Sequence, residues 1–151
     1  MATIKKFEEL EIWQLARKLS IRVFRITLSG DFAKDFGLKA QIKNAIGSVM
    51  DNIAEGFGRG GNKEFINFLG IATGSCNEVQ SQLYRALDWN YIEEETFKEL
   101  YGLADEIISK TGSLINYLNK TEYKGEKFRN RDNNKQQTTN NKQLTSLLCR
   151  V

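Results

Sequence analysis

Residues 62–88 have the sequence NKEFINFLGIATGSCNEVQSQLYRALD, and the predicted architecture follows from this segment. Its apolar residues recur at alternating intervals of four and three, which places them along one side of an α-helix. A repeat close to 3.5 residues keeps that side facing a neighbouring helix, so the segment predicts a long helix packed nearly parallel to its neighbours. We place its N-cap at Asn62. The apolar seam consists of Phe65, Leu69, Ala72, Cys76, Val79, Leu83 and Ala86.

The next segment repeats this pattern. After a turn at residues 90–92, a fourth helix is predicted to open with Glu93, Glu94 and Glu95, because acidic side chains are favourable at a helix N-terminus. Its seam consists of Phe97, Leu100, Ala104, Ile107, Thr111, Leu114 and Leu118.

Two further helices are predicted before this pair, over residues 7–28 and 38–54. The second ends in the stretch EGFGRGG at residues 55–61, where glycine supplies the left-handed C-cap of a helix. The core positions of the first are Ile12, Ala16, Leu19, Val23 and Ile26, and we expect the same face to be widened by Trp13, Ile21, Phe24 and Leu28. Since short connections make successive helices antiparallel, the predicted fold is all-α, an antiparallel up-down-up-down four-helix bundle.

The chain changes character after Tyr123. Residues 129–146, RNRDNNKQQTTNNKQLTS, are nearly all polar and lack apolar periodicity, so we predict a disordered C-terminal tail. The predicted division is a four-helix bundle at 1–123 and a polar, basic tail at 124–151. Residues 1–120 carry 15 Lys and Arg against 16 Asp and Glu, whereas residues 121–151 carry 7 against 3. The excess positive charge therefore belongs to the tail.

The composition excludes several classes of site. Histidine is absent, which removes histidine-dependent catalytic triads, histidine general bases and histidine-containing zinc helices. The two cysteines, Cys76 and Cys149, are too few for a disulfide framework or a zinc site. No apolar run reaches the roughly 18–20 residues of a membrane span, and no signal-peptide pattern opens the chain. We therefore expect a cytoplasmic protein with no metal, no cofactor and no membrane contact.

The glycine-rich stretch has the spacing of two phosphate-binding motifs. Gly56, Gly58 and Gly61 match the dinucleotide-binding fingerprint, but that motif follows a strand, whereas here a predicted helix precedes it. The P-loop spacing is also present, but Asn62 and Lys63 occupy the positions of its lysine and hydroxyl residue. We interpret the stretch as a turn between helices; the alternative is a backbone nest that holds a phosphate.

Polar residues recur at helical spacing on the second and third helices. Paired carboxylates serve as acid and base or as metal ligands, and Glu55 and Glu78 are candidates to face each other. A ferritin-like di-metal site requires histidine, however, so we favour a structural network and expect no enzymatic activity. The predicted structural polar network consists of Asn52, Glu55, Ser75 and Glu78.

Gly70 and Gly74 lie inside the third predicted helix. Each glycine costs about 1 kcal/mol relative to alanine in a helix interior. We therefore expect another helix to approach closely at this point, either from the same chain or from another subunit.

Basic residues form two rows at helical spacing. Such rows contact nucleic-acid phosphates, but they are also typical of a solvated helix face. The candidate nucleic-acid-binding residues are Lys18, Arg22, Arg25, Lys39, Lys43 and Arg59.

Several stretches resemble a known family. They are FEELEIWQ at residues 7–14, SVMDNIAEGFGR at 48–59 and EFINFLGIATGS at 64–75, together with Glu78. They resemble the bacterial four helix bundle proteins, also called 23S rRNA intervening-sequence proteins, whose relatives include the accessory variability determinant proteins of diversity-generating retroelements. The resemblance covers about residues 5–120. One departure lies near Met50, where the family often has proline.

The resemblance implies a four-helix bundle that assembles into a homopentamer, and a gene sometimes located in insertions within large-subunit rRNA genes. The retroelement relatives bind a reverse transcriptase and nucleic acid through basic surfaces. We therefore expect a non-enzymatic oligomer that binds RNA or DNA through its basic rows as a ribonucleoprotein accessory, with a reverse transcriptase or another protein as a candidate partner. The alternative is an oligomeric protein-binding scaffold without nucleic-acid contact. One continuous basic surface favours the first function, and dispersed charges favour the second.

Overall fold

The computed structural model describes residues 4–122, which form four α-helices joined by short connections. The helices are α1 (Glu11–Ile26), α2 (Phe36–Gly58), α3 (Asn62–Asp88) and α4 (Glu94–Glu122), and no strand occurs among the described residues. Helix α1 packs against α2 and α4, and α3 packs against the same two helices. The predicted antiparallel four-helix bundle is therefore confirmed, with α1 and α3 at diagonal corners.

The two near-heptad seams form much of the core. Every predicted seam residue of α3 is buried, and on α4 all are buried except Phe97, which is partly buried. The predicted stripe of α1 is likewise buried from Ile12 to Val23, and Ile26 packs partly buried against it. From α2 the core receives Leu38, Ile42, Ala45, Ile46, Val49 and Ile53.

The outer side of α1 differs from the prediction. Ile21, Phe24 and Leu28 were expected to widen the core face, but their exposed fractions are 44%, 50% and 58%. Successive helical residues are rotated by about 100°, so Ile21 and Phe24 lie on the side of α1 away from the buried Leu19 and Val23. A helix that packs against only two neighbours buries only the residues that face them. Apolar residues at the edge of a wider apolar face therefore remain exposed to solvent.

The limits of α1 also differ from the predicted 7–28. Residues Phe7–Glu9 form a separate 3-10 turn, and the fully buried Leu10 has extended backbone (φ −72°, ψ 124°) ahead of the helix. At the other end, the Thr27 hydroxyl donates a hydrogen bond to the Phe24 carbonyl at 2.7 Å. Such local bonds from threonine compete with continued helix.

Helix α2 is longer than predicted and extends to Gly58. Its start is capped by Asp35, whose Oδ1 accepts a hydrogen bond from the Leu38 amide at 2.9 Å. The prediction of Asn62 as the N-cap of α3 is wrong, because Gly61 holds that position. The Asn62 side chain instead donates to Thr121 Oγ1 on α4 at 2.8 Å, which ties the two helices together.

The predicted disordered tail, the boundary at residue 123 and Cys149 lie outside the described residues.

Candidate functional site

The basic row of α1 is joined to α4 through Arg22. Arg22 Nη2 donates to Glu99 Oε2 at 2.8 Å, while its Nε is buried without a hydrogen-bond partner. Lys18 and Arg25 are exposed, and neither forms an ion pair with any described residue. Two of the three predicted cations on α1 are therefore available to another molecule.

A second ion pair joins α4 to α1 with the charges reversed, because the cation is on α4 and the carboxylate is on α1. Lys110 Nζ donates to the buried Glu11 on α1 and lies 3.8 Å from Glu106. The hydrogen bond to Glu11 is the main reason that the pKa of Lys110 is raised, so its ammonium group stays charged. Ion pairs therefore connect α1 to α4 near both ends of α1.

The remaining predicted cations lie elsewhere. Lys39 donates to the Ala33 carbonyl at 3.1 Å, and Lys43 is exposed without an ion pair to the described chain. Arg59 lies about 30 Å from Lys39 along α2, at 1.5 Å per residue, and donates to Glu55 at 2.8 Å. Lys39 and Arg59 therefore lie toward opposite ends of α2, so the six predicted residues do not all lie side by side in one copy of the described chain.

Part of the predicted polar network is assembled at the α2–α3 interface. The Oγ atoms of Ser48 and Ser75 lie 2.8 Å apart, and Asn52 Nδ2 donates to the Ser48 carbonyl at 2.8 Å and to its Oγ at 3.0 Å. Asn52 and Ser75 are therefore connected through Ser48, which was not among the predicted residues. Its position one helical turn before Asn52 was the signal available in the sequence.

The two glutamates of that prediction are not brought together. The contact of Ser48 with Ser75 sets the register of the antiparallel helices, so Glu55 lies level with about residue 68. Glu78 is ten residues further along α3, about 15 Å at 1.5 Å per residue. Glu55 pairs with Arg59, and Glu78 has no partner among the described residues. One chain therefore forms no facing carboxylate pair from these residues.

The glycine-rich stretch serves helix packing and the turn. Gly56 lies inside α2, where an added Cβ would be 2.6 Å from the Phe68 Cβ and 3.1 Å from the Phe65 ring. Only glycine permits this approach of α2 to α3. Gly60 has φ 78°, and this left-handed conformation reverses the chain after α2.

A polar contact not predicted from the sequence joins the start of α2 to the α3–α4 connection. Tyr91 Oη donates to Asp35 Oδ2 at 2.9 Å, while Asp35 also caps α2. Hydrogen bonds from the Leu38 amide and from Tyr91 lower the pKa of Asp35, and the hydrogen bond to Asp35 raises the pKa of Tyr91. The two residues are 56 positions apart, so no local pattern signals their contact.

Cys76 is fully buried in α3. Burial, with a smaller contribution from Asp105, raises the pKa of its thiol to about 12. Since the thiolate is the reactive form, this cysteine is a core residue and not a nucleophile.

The glycines of α3 have no close neighbour within the chain. Added Cβ atoms at Gly70 and Gly74 would meet no atom within 4 Å, and both residues are exposed. The expectation that a helix of the same chain approaches them is therefore wrong. Approach by another subunit stays a prediction.

Among residues 4–122, no group of three or more metal-ligating side chains is arranged to hold an ion. None of the described helices combines the length and the apolar character needed to cross a bilayer.

Comparison with known proteins adds the family. The family model described as 23S rRNA-intervening sequence protein matches residues 8–113, which include α1, α2, α3 and most of α4. The chain belongs to this family. The crystal structure of a protein with unknown function from the S23 ribosomal protein family of Bacteroides thetaiotaomicron has the same fold, with a TM-score of 0.63 and 23% sequence identity. The likeness covers 69% of this chain and 97% of that one. No relative is found among curated proteins.

In this 23S rRNA-intervening sequence protein, two of the stretches that carry the family resemblance meet at one interface. Residues 48–59 contribute Ser48 and Gly56 from α2, and residues 64–75 contribute Phe68 and Ser75 from α3. The presence of these residues in this chain is therefore explained by the close packing of α2 against α3.

Proposed function

We propose that this 23S rRNA-intervening sequence protein acts by binding and not by catalysis, as an oligomeric scaffold assembled from several copies of its bundle. The observation that carries the proposal is a group of exposed apolar side chains on and just after α1, namely Ile21, Phe24 and Leu28. Large apolar side chains are usually buried, and a group of them in solvent marks a surface that contacts another molecule.

The charge distribution supports the same function. Lys39 and Arg59 lie toward opposite ends of α2, and Arg22 and Arg59 are paired with Glu99 and Glu55. Dispersed and partly neutralised charges favour a scaffold over a continuous phosphate-binding surface.

Light scattering of the full chain over a concentration series tests the proposal. One copy has a mass of 17.3 kDa, and we expect a multiple of this value. The pentamer implied by the family resemblance corresponds to five times 17.3 kDa. A mass of one copy at every concentration contradicts the scaffold proposal.

RNA binding is a second candidate function. Lys18, Arg25 and Lys43 are exposed and make no ion pair among the described residues, and the family description names 23S rRNA. If the cations contact phosphates, log K for an RNA fragment falls with log[salt] by roughly 0.7–0.9 per contact. We expect Lys18→Ala/Arg25→Ala/Lys43→Ala to flatten this slope.

The matched control for RNA binding is Arg22→Ala/Arg59→Ala, which removes cations that are already paired. Both variants keep the basic tail, so a difference between them isolates the three unpaired cations. An unchanged slope in the triple variant contradicts RNA binding by the rows. The reverse transcriptase implied as a partner by the retroelement relatives stays a separate prediction, to be tested by co-purification.

A further inference from the structure

Exposed apolar side chains are concentrated where α1 leads into α2. Ile21, Phe24 and Leu28 lie on and just after α1, Phe36 is the first residue of α2, and all four are exposed. Three other large hydrophobic residues are exposed within residues 4–122, and they lie apart from this group, on α3 and just after it: Ile71, Tyr84 and Trp89. The group at the α1–α2 end is therefore the main apolar surface of the described chain.

These side chains border the surface between α1 and α2. Phe24 follows Arg22 by about 200° of helical rotation, so it lies on the opposite side of α1 from the contact of Arg22 with α4, toward α2. On α2, Met50 follows Ser48 by the same rotation and lies on the side away from α3, toward α1. Phe36 precedes Met50 by 14 residues, close to four whole turns, and shares its side.

Open space continues along this side of α2. Gly47 lies one turn before Met50, and an added Cβ at Gly47 would meet no atom within 4 Å. A groove therefore runs along the outside of the bundle between the two helices. We call it the α1–α2 groove, and the residues that define it are Ile21, Phe24, Leu28, Phe36 and Gly47.

The charges beside the α1–α2 groove are mostly positive. Asp31 and Lys34 pair with each other at 3.8 Å, and Asp51 lies one turn beyond Gly47. The other charged side chains near its edges are all cations: Arg17, Lys18, Arg25, Lys39 and Lys43. A segment that fills the apolar centre without adding positive charge there fits this surface.

The same chain contains a segment with these properties. Residues 144–151, LTSLLCRV, lie outside the described residues. Their apolar residues have the spacing i, i+3, i+4, i+7, which is one side of a two-turn helix and the pattern by which a helix is bound in an apolar groove. The apolar residues are Leu144, Leu147, Leu148 and Val151, and the other side of such a helix has Thr145, Ser146, Cys149 and Arg150.

The length of the segment matches the α1–α2 groove. Leu144 and Val151 are seven residues apart, as are Ile21 and Leu28, and seven residues of helix measure about 10 Å. A helix of two turns is not stable alone in water, so this one needs a surface to form against. Its only charged residue, Arg150, is on its polar side.

The chain between α4 and the segment can reach the groove. Arg22 pairs with Glu99, so this part of α1 is level with Glu99 and lies about 35 Å from Glu122, the last residue of α4. Residues 123–143 connect Glu122 to the segment, and 21 residues span at most about 70 Å. The connection is thus long enough to return to the α1–α2 groove of the same copy.

We infer that residues 144–151 dock as a short helix in the α1–α2 groove of their own bundle, with their leucines against Phe24 and Phe36. Attachment to the same chain gives an effective concentration of the order of millimolar, so a weak contact is enough. The docking needs one copy only and does not rest on the proposed self-association. It does cover the side chains on which that proposal rests, so association through them requires the segment to leave the groove.

The test measures how fast a thiol in the groove reacts with a small maleimide, in the full-length chain. Gly47→Cys introduces the thiol, and Cys149→Ser removes the cysteine of the segment. Cys76 is buried, and its pKa is raised to about 12, so it is not labelled. We expect Leu147→Glu/Leu148→Glu to speed labelling roughly tenfold, because a groove covered nine-tenths of the time reacts a tenth as fast.

Matched controls separate docking from general effects. Thr145→Glu/Ser146→Glu adds the same charge on the polar side of the segment and should keep labelling slow. Gly102→Cys, at a glycine of α4 with open space, should label at one rate with every form of the segment. In the groove, Phe24→Glu should speed labelling, whereas Ile71→Glu, at an exposed residue of α3, should not. Helical circular dichroism should be retained in all variants.

The outcomes also separate this inference from the scaffold proposal. Equal labelling rates with the intact and the altered segment overturn the inference: if both are fast the groove is open, and if both are slow another molecule covers it. Protection that increases with protein concentration shows that the segment comes from another copy and overturns docking in its own bundle. The mass of the wild type tests the scaffold proposal independently. A single-copy mass with segment-dependent protection overturns only the scaffold, and an oligomer without such protection overturns only the docking.

Discussion

The α2–α3 and α1–α4 interfaces of the same bundle are built from different chemistry. Between α2 and α3, Gly56 lies against Phe68, and the hydroxyls of Ser48 and Ser75 are in contact at 2.8 Å. Between α1 and α4, the polar contacts are ion pairs, Arg22 with Glu99 and Lys110 with Glu11.

This difference indicates where sensitivity to substitution lies. Short side chains let two helix backbones approach closely, so an added atom has no room to move away. Ion pairs between long side chains adjust to changes, and at the surface they contribute little to stability. The α2–α3 interface is therefore expected to be the more sensitive of the two. Because self-association makes apparent stability depend on concentration, every variant below is compared with wild type at one protein concentration.

The largest effects are expected for buried aliphatic side chains of the two central seams. Leu69→Ala on α3 and Ile107→Ala on α4 are each expected to lower the free energy of unfolding by about 2–5 kcal/mol, through lost burial and the cavity that remains. Chemical denaturation measures the change. Phe36→Ala, at a residue that is 76% exposed, is the control and should change stability by no more than about 0.5 kcal/mol. Equal losses in all three variants would contradict the core assignment.

The same substitution at two glycines should have opposite effects. Gly56→Ala is expected to cost about 1–3 kcal/mol, because the new Cβ would overlap Phe68. Gly74→Ala meets open space and is expected to stabilise the helix by roughly 0.5–1 kcal/mol. Denaturation of both variants tests the close approach of α2 and α3. If Gly56→Ala instead stabilises the protein, α2 and α3 can move apart without a loss of folding free energy.

The Lys110–Glu11 pair gives the α1–α4 interface a dependence on alkaline pH. The folded-state pKa of Lys110 is raised from 10.5, so the contribution of the pair is complete below about pH 10.5 and is lost as the pH rises through the raised value. We expect Lys110→Gln to lower the unfolding midpoint below this pH and to approach wild type above it. Lys120→Gln, at an exposed lysine without an ion pair among the described residues, is the control. A midpoint difference that does not change with pH contradicts the assigned role.

The smallest effect is expected for the exposed pair of the same interface. Glu99→Gln removes the partner of Arg22 and should cost less than about 1 kcal/mol. Added salt should shrink the difference, because surface ion pairs are screened. A loss above roughly 3 kcal/mol, the size typical of a broken buried pair, would show that Arg22 is held away from water.

The sequence predicted the buried residues well and the exposed residues poorly. The seams of α3 and α4 were predicted because burial repeats with the helical period, which a single segment displays. The same period placed Phe24 in the core, although it is half exposed, because periodicity does not report how many neighbours a helix has. The link from Asn52 to Ser75 was predicted in outline, while Ser48 between them was not.

The number of helices, the stripe that each one buries and the family resemblance follow from the amino-acid sequence, because they depend on residues within a few turns of one another. Contacts between distant segments required the folded chain. Tyr91 meets Asp35, and Glu78 stays far from Glu55, because of the rotation and register of whole helices. Those quantities result from packing many side chains at once, including the approach that Gly56 permits, and no local spacing encodes them.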